Sequence, residues 1–494
     1  MSSRTSMSDT EQLVTRRADC VGAMPLTARL QPWMIELVER RSEKLQESVK
    51  RHGSPLNLIH PDTLKVHIHA LREAASRREL DFEVYFARKA NKCLAFVDAA
   101  NDIGAGIDVA SFEELTQVTD RQIPPERIIC TAAIKSEPLL TACLRHQIVV
   151  AVDNDDELHQ VMDLSERLGL DAKLALRFGG FVHNGTKLHT RFGFDVDEAG
   201  RLARDTLPRY RARVNSIEGV HFHLDGYCPE QRVSAITQSL EILDQFRETG
   251  FRPKFLDIGG GLPMSYLESS EQWDAFWQSH RKSLLGAGPA LTHRGHGLGL
   301  ACIDGQVVGR PNVYPYYQNP IREEWLAKIL DAKPDSHGTI SKQVRSRDVQ
   351  LRCEPGRSVL DGCGLTIARV EFVKRHHTGH HYVGLAMNRT QCRTSSDDFL
   401  VDPILVRADR SAAADDSEVT GFLVGAYCTE SELILQRKLR FPNGVRREDL
   451  ILLPNTAGYF MHFLESRSHQ LPLAKNLVVD EDQTQPWTVD GIDA

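Results

Sequence analysis

Residues 83–91 read Glu-Val-Tyr-Phe-Ala-Arg-Lys-Ala-Asn, a short apolar run that ends at Lys89. Runs of this length, rich in β-branched and aromatic side chains, predict buried strands. In parallel α/β folds the chemistry lies at the carboxyl ends of the strands, where Lys89 stands. A solvated lysine at a strand exit explains the stretch by itself, so the choice depends on the rest of the chain.

Seven further strand-like runs follow, most of them separated by segments with helical periodicity. Strands that alternate with helices predict parallel pairing with right-handed crossovers. Eight strands close a (β/α)8 barrel, so the pattern predicts an α/β protein with a TIM barrel. The eight predicted strands are 84–87, 103–109, 127–131, 148–152, 174–178, 220–224, 255–258 and 349–353.

The domain boundaries follow from where this rhythm begins and ends. The barrel is expected over 55–355, with an insertion at about 285–348 because the last two strands lie too far apart for one crossover. Residues 356–494 alternate short strands with turn signals and predict an all-β domain that completes a dimeric active site. Residues 1–54 are expected to be a tail and a helix that packs with this β domain.

Composition excludes several classes of protein. The formal net charge of −7 gives no basic surplus for nucleic acid. No apolar run approaches the roughly 18 residues of a membrane span. Ten cysteines without a CxxC pair indicate free thiols in a reducing compartment. We therefore expect a cytoplasmic protein with no nucleic-acid or membrane partner.

The carboxyl ends of the predicted strands bring chemically active residues to one face of the barrel. An amine, carboxylates, an arginine, a histidine and a glycine triplet around one mouth indicate a site for a phosphorylated, electron-poor cofactor. Backbone N–H groups of a glycine triplet can approach an anion closely, although a tight turn needs the same residues. The strand-end residues are Lys89, Asp108, Thr131, Arg177, His223, Gly259, Gly260, Gly261 and Glu354.

Eight short motifs, in this order and spacing, resemble those of the fold-type III pyridoxal-phosphate decarboxylases, the ornithine and diaminopimelate decarboxylase family. The resemblance spans about residues 53–465 and implies an alanine racemase-like barrel. The motifs are Phe86-Ala-Arg-Lys89-Ala-Asn91, Gly106-Ile-Asp108-Val-Ala-Ser111, Arg191-Phe-Gly193, His221-Phe-His223, Asp257-Ile-Gly-Gly-Gly261, Glu354-Pro-Gly-Arg357, Gly425-Ala-Tyr-Cys428-Thr-Glu-Ser431 and Asn455-Thr-Ala-Gly-Tyr459.

The resemblance implies a role for each matched residue with pyridoxal 5'-phosphate as cofactor. Lys89 would form the internal aldimine, and His223 would stack on the pyridine ring. Glu354 would contact the ring nitrogen and keep it protonated, which favours decarboxylation because a pyridinium accepts the electrons released at Cα. Related racemases have an arginine there. The phosphate would be held by Gly261, Arg357 and Tyr459.

The resemblance also implies a homodimer with shared active sites. Cys428 matches the cysteine that reaches in from the partner subunit and returns a proton to Cα; a buried thiol of the β domain is the alternative interpretation. Glu430 and Arg393 are the candidates for binding the distal group of the substrate, with Glu432 and Arg389 as rivals.

The chain departs from the family pattern after His223. The family has His-x-Gly-Ser, whereas this chain has His223-Leu-Asp225-Gly226 and lacks the serine hydroxyl that helps to hold phosphate. One charge-assisted hydrogen bond contributes about 1.5–3 kcal/mol, so cofactor binding should weaken rather than vanish. A histidine-rich run at 376–381 could bind a metal, but its Thr-Gly turn favours an exposed hairpin tip, and no metal is expected.

Three functions remain open from the sequence. The first is a carbon–carbon lyase that decarboxylates a diamino or otherwise polar amino acid in amino-acid metabolism. The second keeps the cofactor but performs racemisation or other chemistry at Cα. The third is a catalytically silent binding protein with the decarboxylase fold, supported by the missing serine and opposed by Lys89, Glu354 and Cys428.

Overall fold

The computed structural model describes residues 17–211, 213, 216–394, 398–408, 417–479 and 487–494. The chain divides into two compact units. The barrel unit comprises Asp62–Pro263 and Asn319–Val359, and the mixed-sheet unit comprises the chain up to Pro61, Met264–Gln318 and Leu360–Ala494. Most of the predicted N-terminal tail, the polar loop near 409–416 and the acidic stretch at 480–486 lie outside the described residues.

Eight parallel strands form a closed barrel, as the sequence predicted. Each strand pairs with the next along the chain, and the ring closes where Leu351 of the eighth strand pairs with Phe82 of the first. Nearly every strand residue is buried, which explains why the sequence shows continuous apolar runs. The strands are Phe82–Ala87, Gly106–Val109, Ile128–Cys130, Val149–Val152, Lys173–Gly179, Ser216–Phe222, Phe255–Asp257 and Gln350–Cys353.

Aromatic rings fill the interior of the barrel, where glycines on neighbouring strands leave room for them. A Cβ at Gly106 would lie 2.3 Å from the Tyr85 ring, and one at Gly219 would lie 2.4 Å from the Phe255 ring. Tyr85 and Phe255 belong to one buried cluster with aliphatic residues of the third, fourth and fifth strands. The barrel is therefore a packed core, and its chemistry lies at the strand ends.

Helices follow most of the barrel strands. The sequence fixes where some of them begin, because Ser111 and Asn154 accept hydrogen bonds from the backbone of Glu114 and Glu157 at the helix N-termini. The α-helices assigned to this layer are Pro61–Ser76, Leu94–Asp102, Phe112–Thr119, Glu137–His146, Asp155–Leu168, Ala199–Arg201, Pro229–Glu248, Arg322–Asp331 and Ile340–Arg345.

The mixed-sheet unit is built on a ten-stranded, mostly antiparallel sheet. Two strand pairs are parallel: Leu56–Ile59 with Lys475–Val478, and His381–Leu385 with Val419–Val424. The other strands are Val21–Gly22, Gly364–Arg375, Ile404–Val406, Leu439–Phe441, Leu450–Pro454 and Thr488–Val489.

Helices also belong to this unit, and two of them lie within residues 1–54, which were expected to pack with the β domain. Pro32–Arg40 and Ser42–His52 place Trp33, Met34 and Leu37 in one apolar core with residues of the sheet. The helix Ser270–Leu284 and the hairpin formed by Leu300–Ile303 and Gln306–Gly309 complete the unit.

The segment that leaves the barrel differs from the insertion expected at 285–348. Residues 264–318 cluster with the mixed-sheet unit, whereas the chain from Asn319 onward belongs to the barrel unit. The physical reason is aromatic packing: Tyr316 is fully buried and its ring lies 5.9 Å from Phe399 and 6.3 Å from Phe460. The tyrosines at 314 and 316 therefore serve as core residues of their unit.

Candidate active site

Lys89 and Asp108 form the first element of the site. Lys89 follows the first barrel strand in a short helical turn, and its Nζ lies 2.6 Å from Asp108 Oδ2 at the end of the second strand. The Asp108 side chain is fully buried, while 39% of the Lys89 side chain is exposed. Thr131, at the end of the third strand, donates a hydrogen bond to the other Asp108 oxygen. Asp108 therefore holds a lysine whose amine faces the open end of the barrel.

Arg177 extends this network to the fifth strand. Its guanidinium forms an ion pair with Asp153, with Nε 2.9 Å from Oδ1, and it donates a hydrogen bond to the Thr131 carbonyl oxygen. Arg177 is 3% exposed. These contacts link the carboxyl ends of the strands from the second to the fifth. The positive charge of Arg177 also contributes to lowering the pKa values of His221 and His223.

His223 follows the sixth strand and is held by its surroundings in one orientation. Its ring packs edge-on against Phe192, with centroids 6.1 Å apart and planes 86° apart. Burial lowers the pKa of His223 to about 3, with smaller contributions from positive charges that include Arg232 and Lys89. The imidazole is therefore neutral at physiological pH and can stack on an apolar or aromatic surface without carrying a charge.

The glycine triplet forms a turn that has no room for side chains. A Cβ at Gly259 would lie 2.4 Å from the Phe222 carbonyl oxygen, and one at Gly260 would lie 2.9 Å from the Glu354 carbonyl oxygen. Gly259 and Gly261 also have positive φ angles of 67° and 76°. The Gly259 N–H donates to Asp257 Oδ1 at 2.8 Å, so the strand end and the turn support each other. Without side chains on this turn, a ligand could approach its backbone closely.

Glu354 lies in a buried cluster with His221 and Asp257. His221 Nε2 is 3.2 Å from Glu354 Oε2, and one ligand atom from each of the three residues lies within 4.8 Å of the others. Burial raises the pKa of Glu354, and it raises the pKa of Asp257 well above the ordinary value. Burial also lowers the pKa of His221 well below its usual range, so this imidazole is neutral.

Several buried polar atoms of this cluster have no hydrogen-bond partner among the described residues, and Glu354 Oε1 is one of them. A buried carboxylate oxygen without a donor is costly, so this position suits a ligand that brings an N–H group. A pyridinium nitrogen is such a donor. The three side chains could also coordinate a divalent cation, but the lysine at the same mouth matches the cofactor.

The site residues predicted on the C-terminal segment lie in the mixed-sheet unit. The Cys428 side chain is exposed, and its backbone N–H contacts His469 Nε2 at 3.5 Å. Tyr459 has a positive φ of 73° and is partly exposed, whereas the next residue, Phe460, which could have been an alternative ligand, is fully buried. Among these two aromatic residues, only Tyr459 can present its side chain to a ligand.

The candidate substrate residues differ in their surroundings. Glu430 is 92% exposed and lies 3.6 Å from Arg294, whereas Glu432 is buried and accepts a hydrogen bond from the Arg389 backbone. Arg393 donates to carbonyl oxygens of the neighbouring backbone at 433 and 434. Glu430 is the most available of the four, and its role with substrate stays a prediction.

The histidine-rich run at 376–381 lies at a hairpin tip. The flanking strands pair antiparallel, and the His376 N–H donates to the His380 carbonyl oxygen across the turn. Within the described residues, the metal-competent grouping of three is the cluster around Glu354 and does not include this run.

The sequence interpretation quoted His221 and Asp257 within motifs without giving them a role, and it missed Arg232. His221 pairs in register with Arg177 on one side and Asp257 on the other. Strand pairing would therefore have placed it beside two charged residues, but register cannot be read from apolar runs alone. Arg232 has no such signal, since an arginine in the first turn of a helix is usually solvated.

Comparisons with known proteins agree with this geometry. The family model described as "Pyridoxal-dependent decarboxylase, pyridoxal binding domain" matches residues 63–285. The uncharacterized protein y4yA of Sinorhizobium fredii is 30% identical over 456 residues, which cover 90% of this chain and 92% of y4yA. Diaminopimelate decarboxylase of Aquifex aeolicus is 28% identical over 451 residues, 88% of this chain and 89% of that enzyme.

Solved structures share the fold over most of the chain. Diaminopimelate decarboxylase from Helicobacter pylori, complexed with L-lysine, matches with a TM-score of 0.65 at 18% identity over 90% of this chain and 95% of that one. Lysine/ornithine decarboxylase from Vibrio vulnificus, complexed with cadaverine, matches with a TM-score of 0.62 at 18% identity, covering 92% and 100%.

The chain belongs to the fold-type III pyridoxal-phosphate-dependent decarboxylase family, as its motifs indicated, and is a distant member of it. Within this family the matched pyridoxal-binding segment contains Lys89, His223 and the glycine turn. As for membranes, no described helix is both long enough and apolar enough to cross a bilayer.

Proposed function

We propose that this protein decarboxylates an amino acid with a polar or cationic distal group, using pyridoxal 5'-phosphate held on Lys89. The observation that carries the proposal is that Glu354 Oε1 is buried and has no hydrogen-bond partner among the described residues. The same barrel holds Lys89 against Asp108. When bound, the cofactor supplies an electron sink for the electrons released at Cα.

Each barrel residue has a role in holding that cofactor. Lys89 Nζ provides the amine for covalent attachment, and Asp108 holds this amine at the mouth of the barrel. His223, neutral because its pKa is about 3, bears on the ring face without opposing the positive charge of the pyridinium. Arg177 fixes the strand ends through Asp153. By resemblance to the family, Gly261, Arg357 and Tyr459 would be the phosphate ligands.

Glu354 would keep the ring nitrogen of the bound cofactor protonated. Burial raises the pKa of Glu354, while the positive charges of Lys89 and Arg177 oppose that rise, and an N–H group at Oε1 would further favour the carboxylate form. His221 and Asp257 orient the carboxylate from the other side. An arginine at this position would disfavour a ring proton, so Glu354 supports decarboxylation over racemisation.

The reaction exchanges carbon dioxide for a proton at Cα. The bond between Cα and the carboxylate breaks, carbon dioxide leaves, and a C–H bond forms at the same carbon. We assign the proton to Cys428 Sγ of a partner subunit, which makes the active unit a homodimer with shared sites. Names of relatives include diaminopimelate, ornithine and arginine decarboxylases, which supports a substrate with a second polar group.

The experiment is mass spectrometry of the purified protein with pyridoxal phosphate and a mixture of amino acids. Conversion of one amino acid to its amine, with release of carbon dioxide, is expected. Exchange of the Cα hydrogen in an amino acid that keeps its carboxylate would instead indicate racemase-type chemistry. A protein that stays colourless with added cofactor would support the silent binding protein.

A further inference from the structure

Arg232 is a buried cation in the first turn of the helix Pro229–Glu248. It is 1% exposed, and its guanidinium carbon lies 5.7 Å from the Phe222 ring and 5.5 Å from the Trp325 ring. Nη1 donates a hydrogen bond to the Ile258 carbonyl oxygen at 2.6 Å. This hydrogen bond fixes the guanidinium beside Ile258, the residue that precedes the glycine turn.

The charge of Arg232 has no anionic partner among the residues that the structure describes. Its Nε and Nη2 atoms are buried and make no hydrogen bond within the same residues. Burial lowers the pKa of Arg232 to about 10, which still leaves it protonated at neutral pH. Burying a charge without a counter-charge is strongly unfavourable, so a buried cation of this kind requires an anion close by.

Of these two atoms, Nη2 lies against the glycine turn. A Cβ at Gly261 would lie 2.8 Å from Arg232 Nη2, and it would lie 3.5 Å from the carbonyl oxygens of Leu224 and Gly226. The cation and the loop at 224–226 therefore both lie against the same side of Gly261. This is the loop where Asp225-Gly226 replaces the Gly-Ser of related decarboxylases, and Asp225 is exposed.

We propose that Arg232 is the counter-charge of a phosphate monoester bound on the turn Gly259–Gly261, and that it compensates for the missing serine hydroxyl. The inference rests on the proposed function in that the monoester is the cofactor's phosphate. Arg232 acts on the phosphate through its charge, from a buried position where water does not screen that charge. The N-terminal end of its helix adds positive potential of the same sign.

This arrangement differs in kind from the hydroxyl that it replaces. A serine hydroxyl contributes one hydrogen bond to the phosphate but no charge, whereas a buried guanidinium contributes a full charge that discriminates strongly between a phosphate and an uncharged group. The expected signature is a high affinity ratio of pyridoxal phosphate over pyridoxal, which carries no phosphate.

The test compares dissociation constants of pyridoxal phosphate and pyridoxal, measured by absorbance titration of the apoprotein. The primary variant is Arg232→Gln, which can keep a donor for the Ile258 carbonyl but loses the charge. We expect its affinity for pyridoxal phosphate to fall about 10- to 100-fold, the range for loss of one charge-assisted contact, with pyridoxal affinity almost unchanged. Arg232→Lys should recover part of the ratio.

Arg247→Gln on the same helix is the matched control, because Arg247 donates to the Arg347 backbone oxygen away from the turn. It should leave both affinities unchanged. Equal losses for pyridoxal phosphate and pyridoxal in Arg232→Gln would mean a structural role and would overturn the proposal, as would an unchanged ratio. Arg232→Met is the second variant, since an apolar side chain of similar length can replace a buried charge without unfolding the protein.

Inorganic phosphate provides a probe that is independent of turnover. It should raise the unfolding temperature of the wild-type apoprotein and of Arg247→Gln, but not that of Arg232→Gln or Arg232→Met. If wild-type protein binds phosphate in this Arg232-dependent way but refuses pyridoxal phosphate, the anion site stands and the proposed decarboxylase function fails. Stabilisation by phosphate that is equal in all variants would refute the anion site.

Discussion

His221 Nε2 lies 3.2 Å from Glu354 Oε2, and both side chains are almost fully buried, at 1% and 3% exposure. His221 is neutral because burial lowers its pKa well below the usual range. Glu354 is therefore positioned by a group that does not neutralise it, and its other oxygen is left for a donor from a ligand. This relationship makes the carboxylate the electronic centre of the proposed site.

Replacing Glu354 by glutamine should lower turnover by roughly 100- to 1000-fold, the loss typical when one preorganised group of this kind is removed. The amide keeps the shape but cannot hold the ring proton as an anion. Glu218→Gln is a matched control, because Glu218 is also a buried glutamate on a barrel strand and pairs with Lys254. The measurement is the steady-state turnover of both variants and of the wild type. Equal activities in Glu354→Gln and wild type would contradict the role assigned to Glu354.

Lys89→Ala should abolish covalent attachment of the cofactor and reduce turnover to background, because it removes the amine that lies beside Asp108. Borohydride reduction followed by peptide mass spectrometry should find the cofactor on Lys89 in the wild type and on no peptide of the variant. Lys328→Ala, at an exposed helix position, serves as control and should behave as wild type. A labelled peptide other than the one with Lys89 would refute this role.

The pKa of His223 predicts how acid destabilises the apoprotein. Because the pKa falls from about 6.5 in the unfolded chain to about 3 in the folded one, the unfolded state binds more protons between these values. Stability from this group is complete above pH 6.5 and is lost as the pH falls toward 3, by up to about 1.4 kcal/mol per pH unit.

His223→Phe should flatten that part of the curve, because the ring remains but no longer takes up a proton. Denaturant unfolding of the apoprotein at several pH values measures the slope. His159→Phe, on a barrel helix away from the site, is the control and should keep the wild-type slope. Parallel curves for wild type and His223→Phe would show that His223 is not held neutral by the fold.

Sharing of sites between subunits predicts complementation. Mixtures of Lys89→Ala and Cys428→Ala chains should regain about 25% of wild-type activity after subunit exchange, since half of the dimers are mixed and each has one intact site. Each variant alone should be inactive or nearly so. If the activity of the mixture equals the summed activities of the two variants alone, Lys89 and Cys428 of one site belong to the same chain.

The eight barrel strands could be predicted because each is a short apolar run buried on both faces, and the residues that end these runs must share one face. Lys89, Asp108, Arg177 and Glu354 were found in this way. The cluster of Glu354 with His221 and Asp257 depends on strand register, which apolar runs do not specify.

Arg232 escaped prediction for a different reason. Its burial results from packing between the rings of Phe222 and Trp325, which are 10 and 93 residues away in the chain. The path of residues 264–318 was likewise set by aromatic packing between distant segments. Long-range contacts of this kind leave no periodic signal in the sequence.

The most direct measurement is mass spectrometry of the protein incubated with pyridoxal phosphate and a mixture of amino acids in heavy water. The account predicts that one amino acid with a polar distal group becomes an amine that carries a single deuterium at Cα, with release of carbon dioxide. Deuterium at Cα of an amino acid that retains its carboxylate would contradict the account.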